Sequence, residues 1–151
     1  MDEEINSLAL NDTWTLAKPP SDKRPIKCKW VFKTKYDASG NKVRHKARLV
    51  VKGCSQRKGV DYEETFAPVV RYSSIRFLLA LSVKFDLHIH QLDAVTAFLN
   101  GDLEQEICME QPDGYKDGSN RVCVLKKALY GLKQSSRVWN TTLNKILLQL
   151  G

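Results

Sequence analysis

The sequence predicts an α+β fold, and three patterns carry that prediction. Two stretches of strict alternation, 27–36 and 42–52, surround the turn-forming Asp37-Ala-Ser-Gly-Asn41. Two others, around 75–85 and 139–150, repeat apolar residues at helical spacing. Between the helical stretches lie short strand-like runs broken by Gly, Pro and Asp.

In the first alternating stretch Trp30, Phe32, Thr34 and Tyr36 share one face, and Lys27, Lys29, Val31, Lys33 and Lys35 the other. The second sorts Val43, His45, Ala47, Leu49 and Val51 from Lys42, Arg44, Lys46, Arg48, Val50 and Lys52. Together they read as a β-hairpin. If the apolar faces share one side, nine cations project from the other and repel one another unless a polyanion lies there. A solvated Lys-rich face that discourages edge pairing is the alternative.

Residues 53–72 hold Gly53, Gly59 and Pro68 with no sustained period and read as a long ordered loop. Ser73 or Ser74 can cap a helix whose stripe, Ile75, Leu78, Leu79 and Ser82 with Phe77, Leu81 and Phe85 alongside, predicts burial as far as Asp86. Residues 88–95 read as a short strand with Asp93 near its end. Residues 106–110 and 121–125 read as strands flanking the turn-rich 111–120. The last element is a helix whose stripe of Trp139, Leu143, Ile146, Leu147 and Leu150 needs a partner surface.

Charge is uneven along the chain. The 151 residues carry a net +7, yet residues 18–58 hold 14 of the 24 Lys and Arg against only Asp22 and Asp37, so this segment carries +12 and the remainder −5. One part of the chain is a polyanion binder by charge. The four cysteines stand far apart with no C-x-x-C pair and no signal peptide, which predicts reduced thiols in an intracellular, non-secreted protein. No apolar run approaches the roughly 20 residues of a membrane span, so no membrane partner is expected.

Among residues that could carry chemistry, Asp93 is followed by Ala94-Val-Thr-Ala-Phe-Leu-Asn-Gly101, and a carboxylate at a strand end before a tight turn can hold a hard divalent cation. The same position also suits an Asx turn or a helix cap. His88 and His90 would share a strand face, but zinc takes three or four ligands and the cysteines are not spaced to supply them. No G-x-S-x-G, H-E-x-x-H or Walker-type loop occurs, so hydrolase and P-loop chemistries have no residues to rest on.

Six blocks of this chain, in order, resemble motifs of copia-type (LTR) retrotransposon reverse transcriptases. They are Asn11-Asp-Thr-Trp-Thr-Leu16, Lys29-Trp-Val-Phe-Lys33, Lys46-Ala-Arg-Leu-Val-Val-Lys-Gly53, Val60-Asp-Tyr-Glu-Glu-Thr-Phe-Ala-Pro-Val69, Gln91-Leu-Asp93 with Thr96-Ala-Phe-Leu-Asn-Gly101, and Lys127-Ala-Leu-Tyr-Gly-Leu-Lys-Gln134. The resemblance implies the N-terminal part of a right-hand polymerase domain over 1–151, with a fingers-like part at about 14–72 and a partial palm from about 73 to 151. It implies that Asp93 is the first magnesium-binding carboxylate, assisted by the carbonyl of Ala94. It places Ala94, Ala97, Phe98, Tyr130, Gly131 and Gln134 at the nucleotide pocket, with Phe98 stacking under the incoming sugar. It places Lys33, Lys35, Lys46, Arg48 and Lys52 against nucleic acid or triphosphate.

The implied partners are an RNA or DNA template-primer, deoxynucleoside triphosphates and the rest of a Pol polyprotein, in a cytoplasmic particle or the nucleus. The chain departs from the family pattern at Ser136, Val95 and Cys108, where members usually carry Pro, Lys and Tyr. It also ends before the tyrosine-x-aspartate-aspartate hairpin, so the expectation is a fragment inactive alone. Two alternatives stand beside that expectation: a non-enzymatic nucleic-acid-binding relic, and a pseudogene fragment without function.

Overall fold

A computed structural model describes residues 1–150. It holds three helices, α1 (Asp2–Leu10), α2 (Tyr72–Lys84) and α3 (Ser135–Leu150), and five strands, β1 (Trp14–Ala17), β2 (Cys28–Tyr36), β3 (Lys42–Val51), β4 (Asp102–Met109) and β5 (Val122–Lys127). Strands β1, β5 and β4 form one antiparallel sheet in that order, and β2 and β3 form a separate hairpin.

The hairpin matches its alternation. Trp30 lies opposite Leu49 and Phe32 opposite Ala47, while Val31 faces Arg48, Lys33 faces Lys46 and Lys35 faces Arg44, so the apolar residues share one side and the cations the other. Its turn is closed by Asp37, whose carboxylate accepts the N–H groups of Ser39 at 2.9 Å and Asn41 at 2.8 Å; those bonds, that to Asn41 foremost, hold its carboxyl below the usual range. Only the hairpin base joins the core. Leu49 and Val51 are buried with Ile26, Leu99, Ile107, Met109, Cys123, Leu125, Leu129 and Leu132, whereas Phe32, Tyr36 and Val43 toward the tip are exposed. Trp30 donates its indole N–H to the Asp113 carbonyl at 2.9 Å and packs on Tyr115, which seats the 111–120 loop on the apolar face.

Two elements lay outside the sequence expectation. Helix α1 opens on Asp2, Glu3 and Glu4, which complement the positive end of its dipole, and inserts Leu8 into the core. Strand β1 pairs with β5 through Trp14 opposite Leu125, so residues 14–17 belong to the sheet of the C-terminal half rather than to the hairpin.

Three expectations are corrected. Residues 88–95 form no strand, because no neighbouring strand takes up their backbone groups. Helix α2 forms, though Arg71 precedes its first turn and Ser73 and Ser74 lie inside it rather than capping it, and it does not bury its stripe: Ser82 is its one buried residue, while Ile75, Phe77, Leu78 and Leu79 are exposed, as are Leu87, Ile89 and Leu92 after it. Strands β4 and β5 are longer than predicted, since pairing of Asp102 with Lys127 extends both. In α3 the N-terminal half packs: Val138 lies against Gly101, where a Cβ would come within 2.4 Å of its Cγ1. Ile146, Leu147, Leu148 and Leu150 remain exposed.

The hairpin is fastened to the rest by backbone. Val51 N–H donates to the Tyr130 carbonyl at 2.8 Å. A Cβ on Gly131, which has φ +92°, would lie 2.0 Å from the Val51 oxygen, and one on Gly53 would lie 2.0 Å from the Gly131 oxygen. Gly131→Ala should therefore destabilise the fold by about 2–5 kcal/mol, combining about 1–2 for the left-handed backbone with about 1–3 for overpacking. Urea unfolding measures this directly, and an unchanged midpoint would contradict the contact. The bare face of α2 should also drive self-association; a monomer across a wide concentration range in sedimentation would count against its exposure.

Candidate nucleotide and nucleic-acid site

Arg48, Phe98 and Tyr130 come from distant parts of the chain and meet in one place. Arg48 stands on β3, Phe98 on a 3-10 turn at Ala97–Asn100, and Tyr130 in the loop between β5 and α3. The rings of Phe98 and Tyr130 meet edge to face, centroids 4.9 Å apart and planes at 65°. The Arg48 guanidinium carbon sits 5.2 Å from the Tyr130 centroid, within cation–π range. With Lys46, Thr96, Leu99 and Glu4 they line a cavity of about 70 Å³. The Glu4 carboxylate accepts the Leu49 N–H at 3.2 Å, occupying a donor of β3 that points away from β2.

The turn that presents Phe98 is held by local bonds. Thr96 takes φ +52°, costly for a β-branched residue. The Asn100 side-chain amide donates to the carbonyls of Val95 at 3.3 Å and Thr96 at 3.2 Å, Leu99 N–H donates to the Thr96 carbonyl at 2.8 Å, and buried Leu99 anchors the turn in the core. Ala97 is half-buried in this turn. Asp93 and Ala94 precede it, exposed and irregular, so Asp93 does not end a strand. Among the described residues no group of three or more His, Cys, Asp and Glu is placed to hold a metal ion.

Gln134 faces inward, whereas Gly131 is exposed. The backbone that Gly131 approaches is that of Val51, as described above. Gln134 is buried; its amide donates to the Asp61 carbonyl at 2.9 Å, and its oxygen accepts from the Gln56 amide at 3.0 Å. Gln56 also accepts the Lys133 N–H at 2.8 Å. Segment 130–134 is thus pinned to the 53–61 loop, and Tyr130 with it. Gln56 and Glu4 were not singled out from sequence. A lone Gln in an aperiodic loop carries no burial signal, and Glu4 reaches the site only because α1 forms.

The basic face is largely uncompensated. Arg44 pairs with Glu3 at 2.6 Å, but among the described residues Lys33, Lys35, Lys46, Arg48 and Lys52 form no salt bridge. Lys33 lies directly opposite Lys46, an arrangement that is destabilising without a counter-anion.

Comparison with known proteins gives this geometry a context. A family model described as Reverse transcriptase (RNA-dependent DNA polymerase) matches residues 11–151. The chain is 55% identical over 141 residues to the Retrovirus-related Pol polyprotein from transposon TNT 1-94 of Nicotiana tabacum, covering 92% of this chain and 11% of that protein. It is 47% identical over 154 residues to the Retrovirus-related Pol polyprotein from transposon RE1 of Arabidopsis thaliana, covering 100% of this chain and 10% of that protein. Against the Transposon Ty1-BL Gag-Pol polyprotein of Saccharomyces cerevisiae (strain ATCC 204508 / S288c) the identity is 30% over 152 residues, with 97% of this chain and 8% of that protein covered. No solved structure matches. The chain spans about a tenth of the length of these relatives. It belongs to the reverse transcriptase (RNA-dependent DNA polymerase) family, and plant transposon Pol polyproteins are among its relatives.

Proposed function

We propose that this stretch is the template- and nucleotide-facing part of an RNA-directed DNA polymerase, with a fingers-like hairpin set on part of a palm. The observation that carries this reading is the convergence of Lys46, Arg48, Phe98 and Tyr130 on one cavity, although they are separated by up to 84 positions and sit in different family-like motifs. Two cations beside an aromatic pair suit a ligand with phosphates at one end and a ring or sugar at the other. Phe98 forms the apolar floor and, in this reading, leaves no room for a 2′-hydroxyl. The hairpin cations Lys33, Lys35, Lys46, Arg48 and Lys52 draw in the phosphates of template or triphosphate.

Asp93 would be one ligand of magnesium in the complete polymerase, the other carboxylates coming from elsewhere in the polyprotein. Bound divalent ions supply charge neutralisation during phosphoryl transfer. The exposed apolar face of α2 and the 85–95 segment is, in the same reading, where the rest of the polymerase packs. Such an enzyme acts inside the cell, where its RNA template is. A nucleic-acid-binding role without catalysis is the second reading, and it rests on the basic row, whose Lys33, Lys35, Lys46, Arg48 and Lys52 form no salt bridge among the described residues.

Three outcomes test these readings. The isolated chain should extend no primer on an RNA template; magnesium-dependent incorporation by it would overturn the incomplete-set reading. Within a complete polymerase, Asp93→Asn should abolish incorporation and leave template binding intact, whereas loss of binding would make Asp93 structural. The isolated chain should bind single-stranded nucleic acid with little sequence preference. Replacing Lys33, Lys35, Lys46 and Arg48 by Ala should flatten the slope of log K against log salt by roughly 3, at about 0.7 per phosphate. A slope unmoved by that variant would mean that the row is only a solvated surface.

A further inference from the structure

The basic face does not stop at the hairpin. Beyond the last paired residues, Lys52 N–H donates to the Lys27 carbonyl at 2.7 Å, so the ladder continues one step past β2 and β3. Lys27 and Lys52 keep the alternation of Lys29, Lys33, Lys46 and Arg48. At this end they open into a cleft of about 510 Å³ lined also by Arg24, Pro25, Ile26, Cys54, Ser55 and Arg57, with Asp61 as its one carboxylate. Asp61 is already engaged: it accepts the Arg57 N–H at 2.7 Å and stands 3.8 Å from the Arg57 side chain. Among the described residues Arg24, Lys27 and Lys52 form no salt bridge, and all three are exposed. Four cations against one carboxylate leave the lining at net +3.

We propose that this cleft at the hairpin base is a second phosphate seat, which holds the backbone of one nucleic-acid strand running along the hairpin from tip to base. The inference rests on the nucleic-acid reading above and adds a site to it. The nine residues of β2 make a row about 30 Å long at about 3.3 Å per residue, enough to follow several phosphates of a single strand. A concave, positively charged end to such a row concentrates anions more strongly than a flat face, because the low-dielectric walls focus the field. The buried side chain of Ile26 makes the floor apolar. The seat therefore recognises charge, with no array of amide groups to read bases. Arg24 and Arg57 belong to the basic segment 18–58 but join the cleft from loops, so no strand pattern placed them beside the hairpin.

Cys54 gives this cleft its own reporter. It lines the cleft and is the exposed cysteine, whereas Cys108 is buried. Burial chiefly, with Asp113 and Glu110 nearby, pushes the Cys28 thiol up to about 11, and burial pushes Cys123 up to about 12.

The experiment uses the full chain and an oligo(dT) long enough to span the hairpin. Replacing Arg24 and Lys27 together by Gln should flatten the salt slope by about 1.4, at about 0.7 per phosphate, in addition to the effect of the hairpin variant. Saturating oligonucleotide should slow alkylation of Cys54 by neutral iodoacetamide in proportion to the bound fraction. If the hairpin variant loses its salt dependence while the cleft variant and Cys54 alkylation are unaffected, the seat is refuted and the nucleic-acid reading stands. If neither variant changes the slope, both fall. Circular dichroism identical to the parent confirms that the Gln variant is folded; should it not be, Cys54 protection in the parent decides the matter.

Discussion

The contact between the 51–53 and 130–131 backbones is the constraint on which the rest of the structure depends. Val51 N–H reaches the Tyr130 carbonyl only because neither Gly53 nor Gly131 carries a side chain, since a Cβ on either would press to 2.0 Å from a carbonyl oxygen. Through this junction a two-stranded hairpin, marginal by itself, is anchored to a three-stranded sheet. The same junction fixes Tyr130, and hence the distances from its ring to Arg48 and Phe98. The Gln56, Lys133 and Gln134 bonds brace it from behind. Residues that the family resemblance assigns to the nucleotide pocket thus serve partly to build the scaffold under it.

Electrostatics set the second constraint. A hairpin with cations directly opposite cations is a poor fold element in isolation, and its like-charge pairs relax only against negative charge. The protein supplies little: Glu3 reaches Arg44, and Glu4 turns its carboxylate to a backbone N–H of β3. Exposed ion pairs such as Glu3–Arg44 contribute about 0–1 kcal/mol. Apart from Arg44, the cations of the row therefore stand without a carboxylate partner among the described residues.

The third feature is a segment that the described residues leave uncovered. From α2 through residue 95, large apolar side chains lie in solvent, Leu92 at 93% exposure among them. Asp93 sits within this segment, so the residue that the resemblance marks as catalytic occupies the least supported part of the fold. A carboxylate that must hold a cation has to be fixed by neighbours on all sides. Here those neighbours are absent among the described residues, in a chain that covers about a tenth of its relatives' length.

By itself the sequence determined what depends on local pattern. The faces of the hairpin followed from period-2 alternation around an Asx turn, α2 and α3 from their 3.6-residue spacing, and the basic segment from simple counting. The candidate residues at 46–48, 93–98 and 130–134 were legible as motifs. Their assembly was not, because Arg48 and Tyr130 are brought together by a backbone contact between residues 51–53 and 130–131, far apart in the chain, and Phe98 by a separate turn anchored in the core. Strand 88–95 failed because a strand exists only where a partner takes up its hydrogen bonds, and periodicity cannot reveal that a partner is missing. The burial predicted for α2 failed for the same reason, since an apolar stripe states what a helix needs and only the tertiary structure decides whether a surface is there to meet it.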